Sequence, residues 1–311
     1  MIRAIVVLLI GCPGLLVNLY NIYLFSTKKS LRTPYGYLTL SRCIANSYVL
    51  LTFICYVAPT EIVNHVVGSS SFASLVGNLT GAPCISIIAV QTFLAVHRLL
   101  AAFRPISYQK AFGCTTLTMV QLCFSWLWGA GVVTFWEVAP RLYNCSYVFD
   151  VASISWMDNC PPMFLSLTIT IPVYISAGLV IVINILILCK LLALNSRLEF
   201  ATKTDRIRSE RRIKRMAIQG ICQDSTFLIE TFILNYAIYL SESKIWLFFC
   251  CTVAWEITHA IDGAIIFLFN AELRRWGLGS EYSNDRTVAV ESTRRPSTIF
   301  TKLKSRLTNQ Q

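Results

Sequence analysis

The chain has 311 residues, of which 55% are hydrophobic and 14% are charged, and its formal net charge is +11. Soluble domains carry roughly 25% charged residues, so the composition excludes an ordinary soluble domain. The positive charge would suit nucleic-acid binding only as a basic face on a soluble domain. Here the basic residues lie mostly between apolar segments, which excludes that class as well.

Seven apolar segments of membrane-spanning length follow one another along the chain. A bilayer core about 30 Å thick is crossed by a helix of about 20 mostly apolar residues. Short polar or charged loops separate the segments, which cover residues 2–25, 35–58, 72–96, 117–139, 164–192, 216–240 and 245–269. The pattern predicts an all-α membrane protein folded as a seven-transmembrane helix bundle.

The basic residues lie on one side of the predicted membrane. Segments 26–34, 97–116, 193–215 and 270–311, together with Lys190, hold 23 of the 27 Lys and Arg residues. The opposite loops hold two, Arg141 and Lys244. Because cytoplasmic loops carry the excess of Lys and Arg, we predict that the N-terminus is outside and the C-terminus is cytoplasmic.

The two ends of the chain differ in character. The first apolar segment is too long for the apolar region of a signal peptide, and Lys28, Lys29 and Arg32 follow it as an inside anchor. It is therefore predicted to be the first membrane helix, and residues 1–275 are expected to form one membrane domain. Residues 276–311 are polar, basic and rich in Ser and Thr, which predicts a disordered cytoplasmic tail.

The second outer loop carries the candidates for covalent modification. Of the 12 cysteines, only Cys145 and Cys160 fall in a predicted outer loop, where the environment is oxidising. A disulfide between them is favoured over a pairing of either one with Cys84, which lies ~21 Å from the inner face at 1.5 Å per residue. Asn144 begins a glycosylation pattern in this loop. Asn78 begins another, but it is predicted to lie within the membrane boundary.

Charged residues also lie inside the apolar segments. A charge in hydrocarbon costs several kcal/mol unless it faces a partner or a wet cavity. Arg42, Asp224 and Asp262 each lie about eight residues from the inner boundary, hence at a similar depth of ~12 Å. We predict that Arg42 pairs with Asp262 or with Asp224, and that the pair helps to hold an inactive arrangement of the helices.

The end of the third segment carries a motif. Arg98 is followed seven residues later by Pro105 and ten residues later by Tyr108. This spacing resembles the Asp-Arg-Tyr segment of rhodopsin-like G-protein-coupled receptors. An arginine at this depth can extend to the cytosol or lie against the sixth helix, which gives a two-state element that a G protein can bias.

Two further patterns resemble the same receptors. Residues 262–275 look like the Asn-Pro-x-x-Tyr segment and the short amphipathic helix that follows it, with Asp262 and Gly263 in place of Asn and Pro. Asn18 precedes Asn46 by 28 residues, as the polar residues of the first two helices do in that fold. Asn46 replaces the usual acid, which weakens the expectation of a sodium site.

A narrower resemblance is carried by residues 34–38, by 145–150 with Trp156 and Cys160, by Gln219 and Gln223, and by 259–270. With these segments, nearly all of residues 15–276 resembles the nematode serpentine receptors of class X, a chemoreceptor family. The sequence departs from the class at His97, where the class usually has Asn, and it lacks a Cys-Trp-x-Pro kink in the sixth helix.

The resemblance implies a receptor in the plasma membrane, such as that of a sensory cilium. It implies a small extracellular ligand in the outer half of the bundle and a heterotrimeric G protein at the inner face. The candidate ligand-binding residues are Thr80, Cys84, Glu230, Thr252 and Glu256. The candidate switch and coupling residues are Arg98, Pro105, Tyr108 and Asp262, with the loop through Tyr108 and the basic segment 206–215.

Other classes of function fit less well. No catalytic residue, cofactor or metal centre is expected, because His65, His97 and His259 fall in different places and a metal enzyme needs clustered ligands. An opsin is excluded, because residues 245–269 contain no lysine to bind retinal and Glu256 stands in its expected place. A membrane channel or transporter stays open as the alternative, supported by the intramembrane charges.

Overall fold

The computed structural model describes residues 1–112, 115–143, 147–158, 166–197 and 204–270. They form seven long helices, which confirms the predicted all-α bundle. The predicted tail and the predicted Asn144, Cys145 and Cys160 lie outside the described residues, so their roles stay predictions. The helices are α1 Ile2–Thr27, α2 Pro34–Val63, α3 Ser70–Phe103, α4 Thr116–Tyr143, α5 Ile171–Arg197, α6 Thr204–Asn235 and α7 Lys244–Phe269.

Six of the described helices, all except α6, contain a stretch long and apolar enough to cross a membrane. Helix α6 has the length, but its middle carries Gln219, Gln223, Asp224 and Glu230. It packs against α3, α5 and α7, and polar residues within membrane helices are tolerated where they face the protein interior. Helix α6 therefore completes the bundle.

Shorter elements join the long helices. The 3₁₀ turn Lys29–Leu31 lies between α1 and α2, the helix Pro105–Phe112 between α3 and α4, and the 3₁₀ turn Ala237–Leu240 between α6 and α7. Helices α2 and α7 each contain a π-helical stretch, Phe53–Val57 and Phe248–Val253. Such stretches are rare and frequently mark functional sites.

The helix ends follow from local sequence. Thr33 caps α2 by accepting a hydrogen bond from the Gly36 N–H at 3.0 Å, and Pro34 occupies the first helical position, where its missing N–H costs nothing. Ser69 caps α3 in the same way through the Phe72 N–H at 3.1 Å. At the far end of α2, Asn64 adopts the left-handed conformation that ends many helices.

Small residues let the helices approach one another closely. Gly14 of α1 faces α7, where an added Cβ would lie 2.5 Å from the Cβ of Ala260. Gly129 of α4 lies against the carbonyl of Ala82 in α3. Lipid supplies little hydrophobic drive for helices to associate, so packing contacts of this kind hold a membrane bundle together.

A two-stranded antiparallel hairpin covers the end of the bundle at which α3 begins, which we call the hairpin end. Strand β1, Tyr147–Asp150, pairs with β2, Ser155–Asp158. Trp156 of β2 is buried, stacks on Tyr56 of α2, and donates a hydrogen bond from Nε1 to the Ala73 carbonyl of α3 at 3.0 Å. The predicted orientation puts this end outside and the opposite end, the Arg98 end, in the cytoplasm.

The turn of the hairpin is fixed to α1 and α7. Arg3 of α1 donates to the Ala152 carbonyl at 2.7 Å, and the Thr252 hydroxyl of α7 donates to the Ile154 carbonyl at 2.5 Å. Asp150 pairs with Lys244 at 3.2 Å. Partial burial opposes the ionisation of Asp150, but hydrogen bonds from the Ser153 hydroxyl, the Ala152 N–H and Lys244 outweigh it and lower the pKa of this carboxyl.

Trp156→Ala should destabilise the protein, because truncating a buried Trp costs about 3–5 kcal/mol. Val148→Ala is the matched control, since Val148 lies on the same hairpin and is 43% exposed against 9% for Trp156. The measurement is the temperature at which half of the purified protein in detergent remains monodisperse. Equal midpoints for the two variants would contradict the packing role of Trp156.

Candidate functional site

The first buried polar group in the bundle interior centres on Arg42 of α2. Its Nε lies 2.6 Å from Oδ2 of Asp262 in α7, and both side chains are almost fully buried. The same carboxylate accepts hydrogen bonds from Asn46 of α2 at 2.7 Å and from Gln223 of α6 at 2.6 Å. We call these four residues the Arg42 cluster. It joins α2, α6 and α7 through one carboxylate.

The Arg42 cluster extends toward the hairpin end through His259 of α7. Because Asn46 donates through Nδ2 to Asp262, its Oδ1 is the acceptor for His259 Nδ1 at 2.8 Å. The ring proton therefore lies on Nδ1, and the lone pair of Nε2 faces the Cys84 thiol of α3 at 3.9 Å. Asn18 of α1 accepts from Asn46 at 3.4 Å, which brings a further helix into contact.

The second buried group centres on Arg98 of α3. Its Nη2 donates to Oδ2 of Asp224 in α6 at 2.5 Å. Asn184 of α5 donates to the same oxygen at 2.7 Å, and Gln91 of α3 donates to Oδ1 at 2.9 Å. We call these four residues the Arg98 cluster. Arg98 is 3% exposed, so it lies against α6 and does not extend to the aqueous face.

The two clusters decide which acid pairs with Arg42. Arg42 pairs with Asp262, one of the two partners predicted, whereas Asp224 pairs with Arg98. Their equal depth along the membrane normal predicted that Arg42, Asp224 and Asp262 lie in one layer. Depth alone does not decide which acid binds Arg42, because that choice depends on how each helix is rotated about its axis.

The segment after Arg98 packs back onto α3 and α4. Tyr108 OH lies 3.2 Å from Nδ1 of His97, and the other ring nitrogen lies 3.0 Å from Oε1 of Gln121 in α4. The His97 ring also packs against Phe112 with centroids 4.1 Å apart. Sequence reasoning treated His97 as a departure from the family and missed this bridge. Pro105 begins the helix that positions Tyr108.

Part of the predicted coupling surface is described only by its backbone. The basic segment 206–215 forms the first turns of α6, and the side chains of residues 206–213 lie outside the described part of the structure. Its role in coupling therefore stays a prediction.

The predicted ligand-binding residues each make different contacts. Thr80 lies 3.3 Å from the Thr52 hydroxyl of α2, and Thr252 holds the hairpin. Glu256 is fully buried, its Oε1 lies beside Gly11 of α1, and neither carboxylate oxygen has a hydrogen-bond partner among the described residues. Cys84 contacts His259, and Glu230 is partly buried on α6.

Asn78, the second residue that fits the glycosylation pattern, is buried between α3 and α4. Its Nδ2 donates to Oε1 of Glu137 at 2.5 Å. An asparagine enclosed in this way is not presented to a glycosylating enzyme. Among the described residues, the structure contains no group of three or more His, Cys, Asp or Glu side chains placed to hold a metal ion.

Seven long helices, six of them apolar enough to cross a membrane, enclose buried polar clusters, an arrangement that fits the seven-transmembrane receptors of the G-protein-coupled class. The profile of the family described as "Serpentine type 7TM GPCR chemoreceptor Srx" matches residues 8–270, and the chain belongs to this family. It is a family of multi-pass membrane receptors and not of enzymes.

Individual relatives agree with this assignment. The chain is 24% identical over 262 residues to "Serpentine receptor class X-43" of Caenorhabditis elegans, an alignment that covers 79% of this chain and 77% of the relative. It is 24% identical over 180 residues to a rhodopsin of Alloteuthis subulata, covering 50% of this chain and 37% of that protein. A rhodopsin of Sepia officinalis matches at 23% over 175 residues, covering 50% and 35%. The alignment thus spans about a third of each rhodopsin.

Asp262→Ala should lower expression or raise basal activity, because it leaves Arg42 buried without its anion, and breaking such a pair costs about 3–5 kcal/mol. The exchange Arg42→Asp with Asp262→Arg should recover part of the loss. Receptor at the cell surface and thermal stability in detergent are the measurements.

The matched comparison is the exchange Arg42→Asp with Asp224→Arg, which should recover nothing, because Asp224 belongs to the Arg98 cluster. Independent sites add, whereas interacting sites do not. Purely additive damage in the Arg42–Asp262 exchange would therefore show that the two residues do not interact.

Proposed function

We propose that the chain is a chemosensory receptor that binds a small extracellular molecule in the outer half of the bundle and signals to a heterotrimeric G protein at the Arg98 end. The observation that carries the proposal is the Arg98–Asp224 ion pair between α3 and α6, in a member of a chemoreceptor family. A single charged contact between two helices can be made or broken as a unit.

The surroundings of Arg98 support a coupling role. A small cavity at the Arg98 end is lined by Arg98, Ala101, Ala102, Ile187, Met216 and Ala217. Apart from Arg98 these side chains are apolar, so a displacement of α6 breaks no strong hydrogen bond with them. Such a displacement would separate Arg98 from Asp224 and make the guanidinium accessible to a cytoplasmic partner.

The hairpin end supports a ligand-binding role. The hairpin covers the space between α2, α3 and α7, and below it Cys84 and His259 face each other. Cys84, Glu230 and Thr252, with Thr80 and Glu256, remain our candidates for contact with the ligand. Carboxylates in this region favour a basic or hydrogen-bonding molecule. Access from outside requires the hairpin to move, because Thr252 now binds its turn.

The similarity to rhodopsins supports the receptor class and not light detection. Residues 245–269 contain no lysine that could bind retinal. The intramembrane charges that favoured a membrane channel or transporter are accounted for in part, since Arg42 pairs with Asp262 and Arg98 pairs with Asp224. A screen of small molecules with a G-protein or calcium readout tests the receptor proposal directly, and conductance or uptake without a G protein would favour the alternative.

Arg98→Ala should abolish ligand-evoked signalling while leaving surface expression near normal. Expression should persist because Asp224 keeps two amide donors, Gln91 and Asn184. Arg32→Ala is the control, since Arg32 is an exposed arginine outside the proposed coupling surface. Unchanged signalling in Arg98→Ala at matched surface expression would refute the coupling role.

Glu230→Gln should weaken the response to a basic ligand found in the screen, because it removes the charge that would bind the ligand. We expect at least a tenfold increase in the half-maximal concentration, which corresponds to about 1.4 kcal/mol. Glu242→Gln, an exposed residue between α6 and α7, should behave as wild type. Equal potency in the two variants would remove Glu230 from the ligand site.

A further inference from the structure

Arg98 reaches Asp224 across the surface of a glycine. Gly220 and Asp224 are four residues apart on α6, so they lie on one face of that helix. Gly220 is buried, and a Cβ added to it would lie closer than 3.0 Å to Cζ, Nε and Nη1 of Arg98. The guanidinium therefore occupies the volume that any other residue at position 220 would fill.

Only a glycine at position 220 leaves room for the Arg98 guanidinium. Ordinary van der Waals contacts of a Cβ lie at 3.4–4 Å, so an alanine would displace the guanidinium by ~1 Å to restore normal separation. Nε and Nη1 of Arg98 have no hydrogen-bond partner within the described ranges, and its Nη2 donates to Asp224. A shift of this size directed away from Asp224 stretches that 2.5 Å bond to the limit of hydrogen bonding.

We propose that Gly220 is the positioning residue for Arg98: the missing side chain at 220 lets the guanidinium lie on α6 and bind Asp224. A side chain at 220 releases Arg98 and favours the signalling arrangement. The release of Arg98 from Asp224 does not depend on the proposed function. Only the effect of that release on signalling rests on it.

The chain tolerates this release. Asp224 keeps its hydrogen bonds from Gln91 and Asn184 when Arg98 leaves. Arg98 lies five residues before the end of α3, so its long side chain can extend to the aqueous face at the Arg98 end. Gly220→Ala therefore trades one buried ion pair for a hydrated arginine and a carboxylate that is held by two amide donors.

A double-mutant cycle on thermal stability tests the positioning role without a G protein. Gly220→Ala is compared in the full-length wild-type receptor and in the Arg98→Ala receptor. Gly178→Ala is the matched control, because it is also inside a described helix and an added Cβ there meets nothing within 4 Å. The measurement is the midpoint temperature for loss of monodisperse receptor in detergent.

We expect Gly220→Ala to lower the midpoint by several degrees when Arg98 is present and to leave it unchanged or raised when Arg98 is absent. Gly178→Ala should have the same effect in both receptors. An equal effect of Gly220→Ala in both receptors overturns the proposal. If Gly220→Ala alone yields no folded receptor, recovery of expression with Arg98→Ala and Asp224→Asn supports it, and failure to recover overturns it.

Basal signalling is the second readout. At matched surface expression, Gly220→Ala should raise ligand-independent G-protein activation at least twofold, and Gly178→Ala should not. A coupled stability cycle with unchanged basal signalling supports the positioning role and refutes the coupling role proposed for Arg98. An additive cycle refutes the positioning role while leaving the proposed function intact.

Discussion

The bundle depends on two consecutive residues of α6 that each bind a different buried cluster. Gln223 donates to Asp262 in the Arg42 cluster, and Asp224 accepts from Arg98 in the Arg98 cluster. Helix α6 is too polar to be stable facing lipid, so it needs these buried hydrogen bonds in order to pack within the bundle. Gln223 connects α6 to α7 and, through Asp262, to α2, whereas Asp224 connects α6 to α3 through Arg98 and to α5 through Asn184. A displacement of α6 must therefore disturb both clusters together.

Stability alone does not explain why the interior contains two ion pairs. Replacing a buried pair with apolar residues of similar volume is often neutral or stabilising, by about 1–4 kcal/mol. What the charges add is geometric selectivity, because each carboxylate keeps its full set of donors only in this arrangement of the helices around it. Asp262 and Asp224 each accept from three side chains, which lie on two neighbouring helices. A slide of one helix leaves a charge without its partner, so intermediate positions are disfavoured and the arrangement is close to two-state.

Sequence reasoning predicted the properties that depend on position along the helix and missed those that depend on rotation about its axis. Apolar length predicted seven helices, and depth placed Arg42, Asp224 and Asp262 in one layer. Which acid binds which arginine follows from helix rotation, and so does the contact of Arg98 with Gly220, so neither could be read from spacing. The predicted start of the sixth helix at residue 216 falls short of the observed start at Thr204, because the basic segment continues the helix beyond its apolar part.

The two clusters also connect the ends of the molecule. From the Cys84–His259 contact below the hairpin, hydrogen bonds continue through the Arg42 cluster to α6, and the next residue of α6 begins the Arg98 cluster. Contiguity by itself does not establish coupling between sites, since coupling needs an element with two arrangements that both sites bias. Helix α6 is the element in contact with both clusters: its inward face binds the Arg42 cluster through Gln223 and the Arg98 cluster through Asp224. Under the proposed function, a ligand that displaces His259 removes the donor to Oδ1 of Asn46. Asn46 also donates to Asp262, which accepts directly from Gln223 of α6.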